Sequence, residues 1–329
     1  MILVTGNAGF IGGYLTRALA VQGTKVSGLD LRSLPDPKVV ETHTQGNILD
    51  PDAAGRAMKE TNCIIHLAAA HKDFGITRDE YYRVNVEGTK TLLRVAAAMN
   101  VRKFIFFSSV AVYGATQPSN DGTTPNPNND YGGSKLMTEE AIRAWANEDP
   151  LRSVVILRPT VIFGPRNRAN IFRLVRQVCD RQFLWVGDGG NIKSVAYVEN
   201  VVDAALMLLG RMAPGVLTLN YSDRPQLTTK QIVDIIAQKA GIPIPGKRIP
   251  LSLALPAARI FDVLGTITGL DFPITSARIR KFNTPTCHHA ETIYKMGFQP
   301  RFSIEQGFEK NVSWYLSHKG DLDQADTLD

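Results

Sequence analysis

A tyrosine and a lysine stand four residues apart in the segment NNDYGGSK, which runs from Asn128 to Lys135. In a helix, Tyr131 and Lys135 would lie one turn apart on the same face. An ammonium group close to a phenol stabilises the phenolate and lowers the tyrosine pKa from its ordinary value near ~10. Such a pair can transfer a proton near neutral pH. The same spacing also occurs at ordinary exposed helix starts, so the other residues must decide between the two interpretations.

A glycine-rich turn near the N-terminus follows the apolar run MILVTG and precedes a segment with helical spacing of apolar residues. Gly6 permits a tight turn, Gly9 lets the backbone approach a pyrophosphate, and Gly12 lets helix and strand pack closely. Amide groups at the helix N-terminus would then face the phosphates. The turn therefore predicts a dinucleotide site. Its expected cofactor-binding residues are Gly6, Asn7, Ala8, Gly9, Phe10, Ile11 and Gly12.

Asp30 closes the second predicted strand, at the distance from the glycines where such sites place an acidic residue. A carboxylate there accepts hydrogen bonds from the adenosine ribose and repels the 2′-phosphate of NADP. Asp30 therefore favours NAD as the cofactor. Arg32 keeps NADP open as the less favoured alternative, because a guanidinium can bind that phosphate.

The elements that must position these residues alternate between strand and helix. The buried-strand patterns are MILVTG, KVSGLD, NCIIHLAA, KFIFFSS and SVVILRP, with helical patterns after the glycine turn and at about 79–100. This alternation predicts an α/β fold with a doubly wound parallel (Rossmann) sheet. Ligands in such folds bind beyond the carboxyl ends of the strands.

Composition and charge indicate which classes of ligand the protein can bind. The 329 residues are 44% hydrophobic and 21% charged, as in ordinary globular proteins, and the net charge is +6. The basic residues are dispersed, which argues against nucleic-acid binding and permits a positively lined pocket for an anionic substrate. Cys63, Cys179 and Cys287 are far apart. They indicate neither a metal site nor disulfides, so we expect no metal and a cytoplasmic location.

Two segments bear on membranes. The N-terminus has no signal-peptide pattern. The most apolar later stretch, 251–270, contains Pro256, Arg259 and Asp262. We therefore expect no membrane span, while peripheral membrane contact stays open.

Five motifs in order make the sequence resemble the NAD-dependent epimerase/dehydratase family of the extended short-chain dehydrogenases, which acts largely on nucleotide sugars. They are the glycine loop, HLAA (66–69), NVEGT (85–89), SSVAVYG (108–114) and the tyrosine–lysine pair (131–135). The resemblance covers nearly the whole chain. It implies an NAD-binding Rossmann domain at 1–165 and a smaller C-terminal, mainly substrate-binding lobe at 166–318, with segments near 190–220 returning to the first domain. The acidic tail, 319–329, is predicted to be disordered.

The resemblance also implies roles for individual residues. Tyr131 would be the general base or acid toward a sugar hydroxyl, Lys135 would hold the nicotinamide ribose, and Ser109 would hydrogen-bond the reacting oxygen. The further cofactor contacts that it implies are Asn47, Ile48, Leu67, Ala68, Ala69, Asn85, Ser108 and Pro159, beside Tyr131 and Lys135 themselves. The predicted substrate contacts are Ser109, Val161, Asn170, Lys193 and Arg280.

Departures from the family pattern narrow the chemistry. Sugar 4,6-dehydratases need an acidic pair where this chain has Val110 and Ala111, which cannot transfer protons, so dehydration is not expected. UDP-galactose 4-epimerases carry an asparagine at Val161, and the usual Arg-Asp pair after GDG is replaced by Lys193-Ser194. Lys193 can meet a diphosphate, but the basic residues of this region are equally typical of a solvated surface.

The first hypothesis for function is an NAD-dependent epimerase that oxidises and re-reduces C4 of a nucleotide-linked hexose through a 4-keto intermediate. The alternatives are an NAD(P)H-dependent reductase of a 4-keto sugar nucleotide and an alcohol dehydrogenase like the hydroxysteroid enzymes. The second alternative is favoured by Arg158-Pro159 and by the apolar stretch 251–270. A regulatory cofactor-binding protein would not need Ser109, Tyr131 and Lys135 together. The resemblance also implies a homodimer formed by the helices near 79–100 and 130–147, which carry apolar residues on more than one face.

Overall fold

A computed structural model describes residues 1–34, 36–71, 75–244, 246, 248–268 and 275–325. The chain divides into two compact units. The first unit contains 1–162, 198–222 and 288–301, and the second contains 163–197, 223–287 and 302–329. The segment 198–222 thus returns to the first unit, and so does 288–301. That the second unit binds substrate stays a prediction.

The strands and helices follow the alternation that the sequence predicts. The strands are β1 (Ile2–Thr5), β2 (Val26–Asp30), β3 (Thr42–Gln45), β4 (Cys63–His66), β5 (Lys103–Phe107), β6 (Ser153–Pro159), β7 (Val161–Phe163), β8 (Trp185–Val186), β9 (Ile192–Lys193), β10 (Val195–Tyr197), β11 (Gly215–Tyr221), β12 (Leu227–Thr228) and β13 (Arg248–Ile249). The helices are α1 (Phe10–Val21), α2 (Pro51–Ala57), α3 (Arg78–Tyr82), α4 (Gly88–Ala98), α5 (Asp130–Asn147), α6 (Asn170–Cys179), α7 (Val198–Gly210), α8 (Thr229–Lys239), α9 (Leu251–Thr268), α10 (Ser276–Asn283), α11 (Thr292–Lys295) and α12 (Ile304–Ala325).

The centre of the first unit is a seven-stranded sheet in the order β11-β6-β5-β4-β1-β2-β3. Every pair of neighbouring strands is parallel. The predicted α/β Rossmann sheet is therefore confirmed. Because the strands are parallel, the glycine loop, Asp30, the turn after β4 and the serines after β5 all lie at the carboxyl edge of one sheet.

Helices α4 and α5 cover one region of this sheet and pack against each other. Leu92 and Leu93 of α4 share a single buried core with Ile142 and Trp145 of α5. The sheet and the neighbouring helix bury these four residues, so they are not available to a partner subunit. Met137 remains exposed.

The helix predicted at about 79–100 is present but not continuous. It consists of α3, a π-helical turn at Arg83–Glu87, and α4. A π turn inserts an extra residue into the helical ladder and often marks a functional site. Here it places Asn85, which is buried, inside the turn.

In the second unit, α9 packs on α10, and β8 pairs with β13. The disorder predicted for the tail is wrong for 319–325, which belong to α12. Leu322 is buried there, and Lys319 Nζ lies 2.6 Å from Asp180 Oδ1. Residues 326–329 lie outside the described part of the chain. Among the described residues, no helix is both long and apolar enough to cross a membrane; the cytoplasmic location stays a prediction.

Two adjacent glycines of α1 give a matched test of the packing at the loop. A Cβ on Gly12 would stand 2.1 Å from the Gly6 carbonyl oxygen, whereas a Cβ on Gly13 would meet nothing within 4 Å. We expect Gly12→Ala to lower the free energy of unfolding by about 2 kcal/mol or more, because backbone must move. Gly13→Ala should raise it by up to about 1 kcal/mol through helix propensity. Urea unfolding followed by circular dichroism measures both, and equal effects would contradict the close packing.

Candidate active site

The glycine loop joins β1 to α1 at the carboxyl edge of the sheet. Gly6 has a φ of +73°, and a Cβ on it would stand 2.8 Å from the Ala68 amide nitrogen. Gly9 is the N-cap of α1, so no capping side chain covers the first-turn N–H groups. The loop therefore brings backbone and a helix N-terminus to its surface, which suits a pyrophosphate.

The loop residues differ in which part of them can face a ligand. Phe10 and Ile11 form the first turn of α1. The Asn7 side chain is fully buried beside Gly28, and its Nδ2 lies 3.2 Å from His43 Nδ1. The Asn7 side chain therefore does not face a cofactor at the loop surface.

The Asp30 carboxylate is fixed at the end of β2. Its Oδ2 accepts a hydrogen bond from the Ala8 amide at 3.0 Å, and its Oδ1 accepts one from the Arg32 amide at 3.0 Å. The Arg32 Nε lies 3.6 Å from Oδ1. A 2′-phosphate bound by Arg32 would thus meet the Asp30 charge at close range, which favours NAD over NADP.

Asn47 and Ile48 follow β3. Asn47 Oδ1 accepts a hydrogen bond from the Leu49 amide at 3.0 Å. Ile48 is buried in the core, where its side chain faces Gly88. A cofactor contact by Ile48 would therefore have to use its backbone.

A buried hydrogen-bond chain supports the turn after β4, where Leu67, Ala68 and Ala69 lie. The amides of Leu67 and Ala68 both donate to Thr5 Oγ1 at 3.2 Å. Thr5 Oγ1 lies 2.6 Å from His66 Nδ1, and His66 Nε2 lies 2.9 Å from Thr89 Oγ1. Burial lowers the pKa of His66 to about 3, and the charge of Lys135 acts in the same direction.

The tautomer of His66 follows from these partners. Thr89 donates its hydroxyl hydrogen to the Asn85 carbonyl at 2.5 Å, so His66 Nε2 must donate to Thr89. Nδ1 is then the acceptor for Thr5. The sequence indicated no partner for His66, because Thr5 and Thr89 are both distant along the chain.

Asn85 connects three segments from inside the π turn. Its Oδ1 accepts from the Ala70 amide at 2.7 Å, and its Nδ2 donates to Ser134 Oγ at 2.9 Å. Thr138 donates to the Asn85 carbonyl at 3.0 Å. Asn85 thus fixes the turn after β4 to α5, the helix that carries Tyr131. Its contact with a cofactor stays a prediction.

Tyr131 and Lys135 begin α5, whose N-cap Asn129 accepts from the Gly132 amide at 2.8 Å. Tyr131 is half-buried, and Lys135 is buried. The Lys135 Nζ donates to the Phe107 carbonyl at 2.8 Å and lies 5.9 Å from the centre of the Tyr131 ring. Burial lowers the pKa of Lys135 to about 7, and the nearby Glu139 carboxylate acts in the opposite direction.

The two serines after β5 face different surroundings. Ser109 is half-buried, and its Oγ accepts from the Ala111 amide at 3.1 Å. Ser108 is buried and donates to Glu139 Oε1 at 2.6 Å. Ser108 therefore has no free hydroxyl hydrogen for a cofactor. Pro159, at the end of β6, is buried.

A buried polar cluster behind these residues was missed by the sequence reasoning. Arg158 donates to both carboxylate oxygens of Glu139, at 2.8 Å from Nε to Oε1 and at 2.5 Å from Nη2 to Oε2. Arg158 also donates to the Tyr113 hydroxyl at 2.9 Å, which donates to Asn220 Oδ1 at 2.7 Å. The available signal was that Glu139 follows Lys135 by one helical turn and therefore shares its face.

The predicted substrate residues are spread over both units. Val161 is partly exposed in β7, Asn170 begins α6, and Arg280 is exposed on α10. The Lys193 ammonium already donates to the Thr284 carbonyl at 2.6 Å. Their contacts with substrate stay predictions. Among the described residues, no group of three His, Cys, Asp or Glu side chains could hold a metal ion.

The buried ammonium predicts a pH dependence of stability in the nucleotide-free protein. Unfolded lysine binds a proton below about pH 10.4. Folded Lys135 binds one only below about 7, so wild-type stability must fall as the pH drops between these values. Relative to wild type, Lys135→Met should gain at least about 1 kcal/mol of stability between about pH 10 and pH 7.

Urea unfolding of nucleotide-stripped protein at the two pH values measures this gain. Lys90→Met is the matched control, because Lys90 is exposed on α4 and its substitution should give the same difference at both values. A pH-independent difference for Lys135→Met would contradict a buried ammonium with a lowered pKa.

Comparisons with known proteins agree with this geometry. The model of the NAD dependent epimerase/dehydratase family matches residues 2–219. The N-acetyl-α-D-glucosaminyl-diphospho-ditrans,octacis-undecaprenol 4-epimerase of Escherichia coli O157:H7 is 35% identical over 320 residues, which are 96% of each protein. The 2-alkyl-3-oxoalkanoate reductase of Stenotrophomonas maltophilia (strain K279a) is 26% identical over 94% of this chain and 97% of its own.

Among solved structures, MoeE5 in complex with UDP-glucose and NAD shares the fold. It has a TM-score of 0.76 and 23% identity over 97% of this chain and 99% of its own. Together with the family match, these findings confirm the predicted family, the assignment as an enzyme and NAD as the cofactor. The chain belongs to the NAD dependent epimerase/dehydratase family, an enzyme family of the extended short-chain dehydrogenase type.

Proposed function

We propose that this enzyme epimerises C4 of a hexose carried on a diphosphate, through a 4-keto intermediate. The observation that carries the proposal is the placement of Lys135, a buried cation one helical turn from the half-buried phenol of Tyr131. A cation at this position stabilises a phenolate, which can take a proton from a sugar hydroxyl. The epimerase named among the relatives, at 35% identity, supports position C4.

The residues of the first unit suit NAD. The glycine loop offers backbone and an uncovered helix N-terminus to the pyrophosphate, and Asp30 offers a fixed carboxylate to the adenosine ribose. When bound, NAD supplies the hydride acceptor for the oxidation and the hydride donor for the reduction.

Tyr131 would act in both halves of the reaction. As phenolate it takes the proton of the C4 hydroxyl while the alcohol becomes a ketone, and as phenol it returns the proton when the ketone is reduced from its other face. Lys135 keeps the phenolate accessible near neutral pH, and Ser109 hydrogen-bonds the C4 oxygen. The sugar must turn between the two halves, because the hydride that leaves one face of C4 has to return to the opposite face.

Two competing chemistries lose support. Val110 and Ala111 form the turn after Ser109, and neither side chain can transfer a proton, so the site lacks the acid pair for dehydration. Arg158-Pro159 was one of the two sequence features in favour of a hydroxysteroid-type enzyme, beside the apolar stretch 251–270. The Arg158 guanidinium is committed to Glu139 and Tyr113, so it carries no information about the substrate.

The carrier of the hexose is a separate question. The epimerase of Escherichia coli acts on a sugar linked through diphosphate to undecaprenol, whereas MoeE5 was solved with UDP-glucose. Both carriers present a diphosphate next to the sugar. The proposal for C4 chemistry therefore holds for a nucleoside or a polyprenol carrier.

Tyr131→Phe tests the proton transfer. We expect turnover to fall by at least about 100-fold, because the variant has no group to exchange a proton with the C4 oxygen. Bound NAD and thermal stability should stay near those of wild type, which separates the chemical role from a folding defect. Activity within a few-fold of wild type would remove Tyr131 from the mechanism.

Cofactor retention tests the epimerase against a reductase, the class to which the relative from Stenotrophomonas maltophilia belongs by name. An epimerase regenerates its cofactor in every cycle and gains nothing by releasing it, whereas a reductase must exchange it. We expect protein purified without added nucleotide to release near-stoichiometric NAD or NADH on denaturation. NMR of products from UDP-, GDP-, dTDP- and prenyl-diphosphate-linked sugars should show C4 epimers without added cofactor. Empty protein that consumes NADH or NADPH one-for-one would establish a reductase instead.

A homodimer formed by α4 and α5 is also part of the proposal. Met137 of α5 is 44% exposed, although most large apolar residues of these helices are buried within the unit. We expect a dimeric mass by light scattering at micromolar protein, and a shift toward monomer in Met137→Glu. Leu151→Glu, which changes an exposed leucine outside the two helices, is the control and should stay dimeric. A monomeric wild type would contradict the proposal.

A further inference from the structure

Two glycines lie between the tyrosine and the lysine at the start of α5, and the proposed function gives them no role. Glycine within a helix is less favourable than alanine, so two in succession need a structural reason. A Cβ on Gly132 would stand 2.4 Å from the Ala111 carbonyl oxygen, and a Cβ on Gly133 would stand 2.6 Å from the Tyr82 hydroxyl oxygen. Both glycines therefore let neighbouring segments approach α5 more closely than a residue with a Cβ would permit.

Helix α3 is the segment that lies against Gly133. It packs on α5, and its Tyr82 ring, which reaches Gly133, has the Arg78 guanidinium carbon 5.3 Å from its centre. Arg78 Nε also lies 3.9 Å from Oδ1 of Asp130, the first residue of α5. Helix α3 is therefore seated on the N-terminal turn of α5, the turn that carries Tyr131.

Tyr81 of α3 lies beside the Tyr131 ring itself. The two ring centroids are 6.0 Å apart and the ring planes are inclined by 56°, which lies within the ~4.5–7 Å range of aromatic pairs. The Lys135 Nζ lies 5.9 Å from the centre of the same Tyr131 ring. The phenol thus has an aromatic neighbour as close as its ammonium neighbour. The Tyr81 ring occupies space into which the Tyr131 side chain would otherwise be able to move.

The π turn at Arg83–Glu87 allows α3 to reach α5. Such a turn inserts an extra residue, so the side chains before it are rotated around the helix axis relative to those after it. After the turn, Leu92 and Leu93 belong to the buried core of the sheet. Before it, Tyr81 and Tyr82 contact α5. One helical segment therefore covers the sheet with α4 and the proton-transfer tyrosine with α3.

We infer that Tyr81 is a positioning residue for the proton transfer, because its ring limits the motion of the Tyr131 side chain and keeps the phenol beside the Lys135 ammonium. The contact between Tyr82 and Gly133 sets the spacing of α3 and α5 that this requires. A displacement of about 1 Å in a catalytic site can cost about 100-fold in rate. The inference rests on the proposed role of Tyr131, and its first test requires no sugar substrate.

Phenolate formation in the NAD-loaded protein is that first test. The near-ultraviolet absorbance of phenolate is titrated in each variant and in the same variant carrying Tyr131→Phe, so that the difference isolates Tyr131. We expect Tyr81→Ala to move this transition to higher pH, because the phenol can then leave the ammonium. Tyr81→Phe keeps the ring and should titrate like wild type. Arg83→Ala, which truncates an exposed side chain of the same segment, is the control. An unchanged transition in Tyr81→Ala would overturn the inference.

Turnover of the diphosphate-linked sugar gives an independent measurement on the same variants. In Tyr81→Ala, kcat should fall about tenfold or more while KM and the amount of bound NAD change less. Tyr81→Phe should recover most of the lost kcat, which a role for the hydroxyl would not allow. Wild-type kcat in Tyr81→Ala would contradict the inference. A wild type that epimerises no sugar, combined with the expected change in phenolate formation, would overturn the proposed function and leave the positioning role intact.

The spacing of the two helices is tested by two substitutions of which the second should rescue the first. Gly133→Ala places a methyl group 2.6 Å from the Tyr82 hydroxyl oxygen, so α3 must move and kcat should fall about tenfold. Tyr82→Phe removes that oxygen, and the next ring atom is 3.7 Å away, which is an ordinary contact. The double variant should therefore regain kcat to within a few-fold of wild type. A double variant as slow as Gly133→Ala, or a Gly133→Ala protein with wild-type kcat, would rule out this spacing as the positioning device.

Discussion

The site depends on burying one ammonium group, that of Lys135, between β5 and α5. A desolvated cation is costly, and three features reduce the cost: the Phe107 carbonyl that accepts its hydrogen bond, the Phe106 ring 4.7 Å from Nζ, and the Glu139 carboxylate one turn along the helix. Glu139 is buried too and needs its own partners, which Arg158 and Ser108 provide.

The hydrogen bonds that these buried groups need extend across the sheet. Arg158 lies on β6 and donates to Tyr113, and Tyr113 donates to Asn220 on β11. The Asn220 amide in turn donates to Asp121 at 2.6 Å. Segments far apart along the chain are therefore held by the partners that the buried Lys135 ammonium requires. A change at any of these residues leaves a buried polar group unsatisfied, so its effects reach Lys135 without contact with it.

What the sequence predicts well are the features that local pattern determines. The strands β1, β2, β4, β5 and β6 are short apolar runs, because a parallel sheet buries both faces. The edge strand β3, with the sequence THTQ, is polar and partly exposed, and no pattern revealed it. The glycine loop and the tyrosine–lysine pair could also be recognised from the sequence, because few other residue types can replace theirs in such motifs.

The missed features depend on partners distant in the sequence. The π turn is accompanied by hydrogen bonds to the Asn85 carbonyl from Thr89 on its own helix and from Thr138 on another. Glu139 looked like an ordinary helix residue until Arg158 was placed against it.

The neutral imidazole of His66 has a consequence for the protein in acid. An unfolded histidine takes up a proton as the pH falls below about 6.5. His66 in the folded chain resists protonation down to about 3, because Thr5, Thr89 and the surrounding aromatic rings leave no room for hydration of the charge. Acidification therefore draws the equilibrium toward the unfolded chain through proton uptake. The hydrogen-bond chain of Thr5, His66 and Thr89 is therefore weakened in acid. It stabilises the turn after β4 most at neutral and alkaline pH.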